Sequence, residues 1–147
     1  MRPEVSLVLE EHAKRLAEKI VPQLTGFDAN SVAMISFMLT MAAEEFERAA
    51  SRRVEENEAI RVIFRAAADT VVDPALASRL RALAGTADKD LRVSRLEISN
   101  NELRGALSDL HAHIESLKGE GARKINDMIW SELRRSVERR RVALANF

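Results

Sequence analysis

VAMISFMLTMAAEEFERAA, residues 32–50, carries three of the five methionines of the chain and contains neither Gly nor Pro. Apolar residues in its first dozen positions fall on every side of a helix rather than on one stripe, the pattern of a helix buried all round. The stretch therefore predicts the central helix of an all-helical bundle. Its twelve purely apolar or weakly polar residues, 32–43, include Ser36 and Thr40. That is short of the roughly 18 residues needed to span a bilayer.

The rest of the 147-residue chain agrees with a helical reading. It has only 5 Gly and 3 Pro and no Tyr, a composition that favours helices over sheets. Cysteine is absent, which removes disulfides, thiolate catalysis and cysteine zinc sites, and fits a cytoplasmic protein. The N-terminus becomes charged too early for a secretory signal core. Lys and Arg balance Asp and Glu at 23 each, against general nucleic-acid affinity. The balance is uneven along the chain: residues 1–60 hold seven basic and eleven acidic side chains, whereas residues 122–147 hold seven basic and three acidic. The two ends carry opposite charge, suited to mutual attraction within a chain or between copies.

Outward from the central stretch, Val5, Leu9, Ala13, Leu16, Ile20 and Leu24 recur at helical spacing. Pro3 suits the first turn of that helix, and Pro22 and Gly26 end it. The second helix is expected from Ser31 to about Val54, capped by Asp28, Asn30 or Ser31, with Glu55–Glu58 (EENE) breaking or bending it. A third helix around Glu58–Ala68 aligns Ile60, Ile63, Phe64 and Ala67. Asp73-Pro74 and Gly85 bracket a short fourth helix. A helical turn or two is expected within residues 88–98. Ser99 and Glu102 match a capping box, predicting a fifth helix over Asn100–Lys118. Gly119-Glu120-Gly121 is a hinge, and the last helix spans Ala122–Ala145. The expected fold is thus a single-domain all-α bundle of five or six helices. Residues 1–118 form its body and 122–147 a long, basic, amphipathic C-terminal helix. The predicted core is Leu9, Leu16, Ile20, Met34, Met38, Met41, Phe46, Ile63, Leu80, Leu107, Ile114 and Ile129.

Chemistry-bearing residues are few. Glu45 falls among Met34, Met38, Met41 and Ala49 at about 100° per residue, so it sits on the apolar face of the second helix. A carboxylate there needs a partner, and Arg48 and Arg52 lie within helical reach. With His12, on the flank of the first helix, these residues form a candidate cavity. His111 pairs with Glu115, and His113 with Asp109, at i,i+4 spacing, as solvated ion pairs. The two histidines point about 200° apart and cannot share a metal. No Glu-x-x-His, His-Glu-x-x-His, Gly-x-Ser-x-Gly or phosphate loop occurs, so no metal, cofactor or catalytic residue is expected. In the last helix Trp130, Leu133, Val137 and Leu144 form a stripe bracketed by Arg140 and Arg141, residue types that often anchor interfaces.

Residues 2–107 resemble a bacterial helical domain, the domain-of-unknown-function family numbered 6285. The resemblance is carried by Arg2-Pro3, by Pro22 and Leu24, by MLTMAAEEFERAA, and by LRVSRLEISNNELRGAL. It implies a helper protein that accompanies phosphotransferase-like or acyl-CoA dehydrogenase-like enzymes. It brings no catalytic residues and places Glu45 at the family's acidic position. The leading expectation is therefore a non-catalytic accessory or interaction protein, dimeric or docked to a partner through the C-terminal helix. The alternatives are a binder of acyl or nucleotide ligands (or an unusual enzyme) using a cavity near Glu45, and nucleic-acid contact through the Arg-rich last helix. No membrane partner is expected.

Overall fold

The computed structural model describes residues 4–142. It is all-α, with five α-helices and no strand among the described residues. Helix α1 spans Val5–Arg15 and passes directly into a π-turn, Leu16–Ile20, and a 3-10 turn, Val21–Gln23. Helix α2 spans Gly26–Ala67, α3 Pro74–Ala84, α4 Val93–Ser116 and α5 Glu120–Arg140. The chain divides into two compact units within α2, one reaching to Ala49 and the other comprising Ala50–Arg141. No helix of the described residues is long and apolar enough to cross a membrane.

Most boundaries follow from the residues that punctuate them. Pro22 lacks an N–H and ends the regular helix, and Leu24 is extended. Gly26, at φ 59°, supplies a left-handed turn that few other residues tolerate. It opens α2 five residues before Ser31, whose Oγ bonds back to the Phe27 carbonyl instead of capping. Asp73 caps α3 as its sequence foretells, accepting from the Ala75 and Leu76 N–H groups, with Pro74 in the first turn. Gly119, at φ 118°, turns the chain into α5. Pro3 and Leu144 lie outside the described residues, as does the expected end of the last helix at Ala145.

Two expectations are corrected. Glu55–Glu58 neither ends nor separates a helix, because Glu56 and Asn57 are buried and bonded to other helices, and glutamate is a good helix former. The expected second and third helices are one. Likewise Ser99 does not cap. Helix α4 has already begun at Val93, and Ser99 and Asn100 face α2, where they bond Arg61 and Asn57. Asp90, not Ser99, serves the start of α4 by accepting the Arg92 N–H and its guanidinium.

The C-terminal unit has a dense core of Ile60, Ile63, Phe64 and Ala67 from α2, Leu80 and Leu83 from α3, five side chains of α4, and Ala122, Ile125 and Ile129 of α5. Here the predicted Ile63, Leu80, Leu107, Ile114 and Ile129 are all buried. The N-terminal unit differs. Among its described residues the buried ones are Ala13, Ser36, Ala43 and Ala49, all small. Ser36 Oγ donates to the Ala13 carbonyl at 2.7 Å and ties α2 to α1. The predicted core residues Met34 (59% exposed), Met38 (60%) and Phe46 (55%) are solvent-facing, and Leu9, Leu16, Ile20 and Met41 are only half-buried. The physical reason is geometric: α1 meets α2 on the side of Ser36, and Met34, Met38 and Phe46 lie on other sides.

Candidate functional site

Buried charge in this protein is concentrated in the C-terminal unit. Arg61, 2% exposed, projects from α2 and grips Asp88 with both guanidinium arms at 2.9 and 3.0 Å. Its Nε donates to Thr86 Oγ1 at 3.0 Å. Asn57, one turn earlier, donates to both Asp88 oxygens and accepts from Asn100 of α4. The hydrogen bonds from Arg61, aided by Asn57, hold the Asp88 carboxyl below the usual carboxylate range. This cluster fixes the segment between α3 and α4. Every polar group in it is engaged, which makes it a structural clasp.

A second cluster starts from the neighbouring residue of α2, Glu56, and reaches α4 and α5. Glu56 of α2 accepts from Arg104 of α4 at 2.6 Å, from Ser136 Oγ of α5 at 2.9 Å, and from Arg140 at 2.9 and 3.2 Å. Burial alone raises its pKa, but the Arg140 and Ser136 hydrogen bonds and the Arg140 and Arg104 charges outweigh it and hold the carboxyl low. Glu132, 2% exposed on α5, pairs through Oε1 with Arg139 and stands 4.0 Å through Oε2 from Arg135 Nε. Oε2 accepts no hydrogen bond from the described residues. Burial pushes the Glu132 carboxyl above its ordinary range, against the pull of Arg139 and Arg135, and the Glu56 charge adds to the rise. The environment thus drives two neighbouring carboxylates in opposite directions, one held ionised and one more easily protonated.

Between them is a partly enclosed cavity of about 100 Å³. Its wall combines Glu56, Glu132, Arg104, Ser108, His111 and Ser136 with the apolar Ile60, Leu107, Ile129 and Leu133. His111 Nε2 lies 3.0 Å from Asn126 Oδ1 and 3.4 Å from Glu115, and its ring meets Trp130 edge to face at 5.3 Å. The expected His111–Glu115 pair is therefore present. The expected His113–Asp109 pair is not: His113 accepts the Val72 N–H, and Asp109 pairs with Arg79. Among the described residues no three His, Asp or Glu side chains are grouped to hold a metal ion.

The residues singled out from sequence are dispersed. His12 lines an open groove of the N-terminal unit with Arg15, Leu16, Ile20 and Leu39; Glu45, Arg48 and Arg52 are not in its wall. Glu45 is half-buried, and Arg48 pairs with Glu44. On α5, Trp130 (45% exposed) and Val137 (66%) face solvent, whereas Leu133 packs against the core. Arg140 is taken up by Glu56, and Arg141 lies 3.8 Å from Glu138. The buried stripe of α5 is Ala122, Ile125, Ile129, Glu132 and Ser136, rotated from the Trp130–Leu133–Val137 line. Glu132 and Ser136 therefore lie outside the stripe that the sequence suggests. Their signal was their spacing from Ile125 and Ile129, just as Glu56 stands four residues before Ile60. The chain matches no protein-family model, no curated protein and no solved structure.

Proposed function

We propose that this is a non-catalytic accessory protein that self-associates through the N-terminal unit, a second copy of the chain supplying the core which that unit lacks. One observation carries the reading: among its described residues the N-terminal unit buries no large apolar side chain. Phe27, Met34, Ile35, Met38 and Phe46 fall within an arc of about 120° on α2, opposite Ser36 and Ala43, with the small buried Ala49 inside the arc at its C-terminal end. At roughly 200 Å² for a fully accessible side chain of this size, they leave on the order of 600 Å² of apolar surface in water. That approaches the roughly 800 Å² each partner contributes to a standard interface. Two helical hairpins placed face to face make a four-helix bundle, and a two-fold pair needs no other partner. A helper role in the cytoplasm, beside a larger enzyme, fits the absence of catalytic motifs and the resemblance to the helical family numbered 6285.

Light scattering coupled to size exclusion tests this. The expected result is a dimer at micromolar concentration that Met38→Glu converts to a monomer of unchanged helix content. A wild-type monomer across the accessible concentration range overturns the reading. A second contact, through α5, is favoured by the exposure of Trp130 and Val137. It requires Trp130→Ala, and not Met38→Glu, to lower the mass.

A further inference from the structure

We propose that the outer face of α5 docks, antiparallel, on the outer face of α1 of a second copy of the chain. On α1 the row Glu4, Val8, Glu11 and Arg15 advances by four, three and four residues. On α5 the row Arg141, Val137, Arg134 and Trp130, read backwards, advances by the same steps. All eight residues are exposed in the folded chain and open to another molecule. Glu4 and Arg141 are the cap residues that open α1 and close α5. At about 100° per residue each row falls within roughly 60° of helix surface, and each is about 16 Å long. Laid antiparallel, the rows meet Glu4 to Arg141, Val8 to Val137, Glu11 to Arg134 and Arg15 to Trp130. Two opposite-charge pairs, one apolar pair and one cation on an aromatic ring result. Laid parallel, the same rows set Arg15 against Arg141 and both glutamates against uncharged side chains. The chemistry selects the direction as well as the partner.

The central charges are available for such a contact. Among the described residues the side chains of Glu4, Glu11, Arg15 and Arg134 make no hydrogen bond or ion pair. Leu7, 61% exposed, widens the apolar contact beside Val8. The bare face of α2 offers α5 no comparable match, because Phe27, Met34, Ile35, Met38 and Phe46 carry no charge to meet Arg134. The acidic excess of residues 1–60 and the basic excess of residues 122–147 steer the two ends together from farther away. A contact of one helix face on another is small, in the class of transient encounters that bury less than roughly 1,200 Å². It is therefore weak at micromolar concentration and adds to the pairing through α2, with which it shares no residue. Each head-to-tail pair leaves one α1 face and one α5 face open, so association continues past two copies.

Trp130 is the single tryptophan of the chain, so its fluorescence reports the contact directly. Full-length protein carrying Met38→Glu is concentrated to the submillimolar range in low salt, with emission and average mass followed together. The expected result is a shift of emission to shorter wavelength and a mass above that of one chain. Both changes are lost near 1 M salt, where the screening length is roughly 3 Å. Glu11→Arg and Arg134→Glu, each added to that parent, abolish both changes, and an equimolar mixture of the two variants restores them. Restoration by mixing separates the contact from a defect of folding. No shift in the parent overturns the proposal. So does a shift that either variant keeps, which places some other surface on Trp130, and so does a mixture that stays unchanged. The pairing through α2 is read from wild-type mass at micromolar concentration, and this contact from Trp130 in the Met38→Glu chain. Failure of one is then distinct from failure of the other.

Discussion

At the scale of single residues, Arg61 and Asp88 carry the largest expected effect. Both are almost fully buried and bound to each other in two-armed geometry. Arg61→Ala leaves a buried carboxylate without its main partner, which costs about 3 kcal/mol or more. Urea denaturation is expected to show this loss, and an Arg61→Ala/Asp88→Asn double variant to lose less than the two singles combined. Glu56 and Glu132 differ in the sign of their pH dependence. The folded-state pKa of Glu56 is depressed, so its contribution is present above the ordinary carboxylate range and is lost as pH falls through the folded value. That of Glu132 is raised, so the native state is penalised as pH rises through the ordinary range, and the penalty is relieved in acid. Stability relative to wild type is therefore expected to fall with rising pH for Glu56→Gln and to climb for Glu132→Gln. Parallel pH profiles for the two variants would contradict the opposed environments.

At the scale of helices, continuity through Glu55–Glu58 is the informative feature of α2. The exposed Glu55 lies in the middle of a helix, and not at a break, so Glu55→Pro removes a backbone bond and clashes with the preceding turn. About 3 kcal/mol of destabilisation is expected, and a tolerated proline would mean the helix ends there. Helix α3 depends on its cap more than on length, having only 11 residues. Asp73→Ala removes the acceptor of two N–H groups and is expected to cost about 1 kcal/mol in a thermal melt. Asp73-Pro74 was readable because cap and first-turn proline act locally. Ser99–Glu102 has the same local form but does not act as a cap, because Ser99 and Asn100 find partners on α2.

At the scale of the whole molecule, the two units differ in what they bury. The C-terminal unit encloses large aliphatic side chains and two ionic clusters, whereas the N-terminal unit, among its described residues, encloses alanines and one serine. Local opening is easiest where few apolar contacts oppose it. Amides of α1 and of α2 before Ala49 are expected to exchange with solvent far faster than those of Ile60–Phe64 in dilute solution. They are expected to slow as protein concentration rises, because mass action favours the associated form. Exchange in residues 26–49 that is independent of concentration would argue against self-association through this face.

The residues alone determine that the chain is helical, the stops at Pro22 and Gly85, the Asp73 cap and the core stripe Ile60–Ile63–Phe64–Ala67, since each depends on neighbours a few positions away. Apolar periodicity also marks VAMISFMLTMAA as a helix seeking cover on several sides. Which of those sides is covered is decided only by the number of helices brought against it, and in this structure α1 covers one. The same holds for Glu56, Glu132, Arg61 and Asp88. Each reads as a solvated charge until folding carries residues up to 84 positions apart, such as Glu56 and Arg140, into hydrogen-bonding distance. Desolvation and pairing are properties of that assembled interior, and no local stretch of sequence contains them.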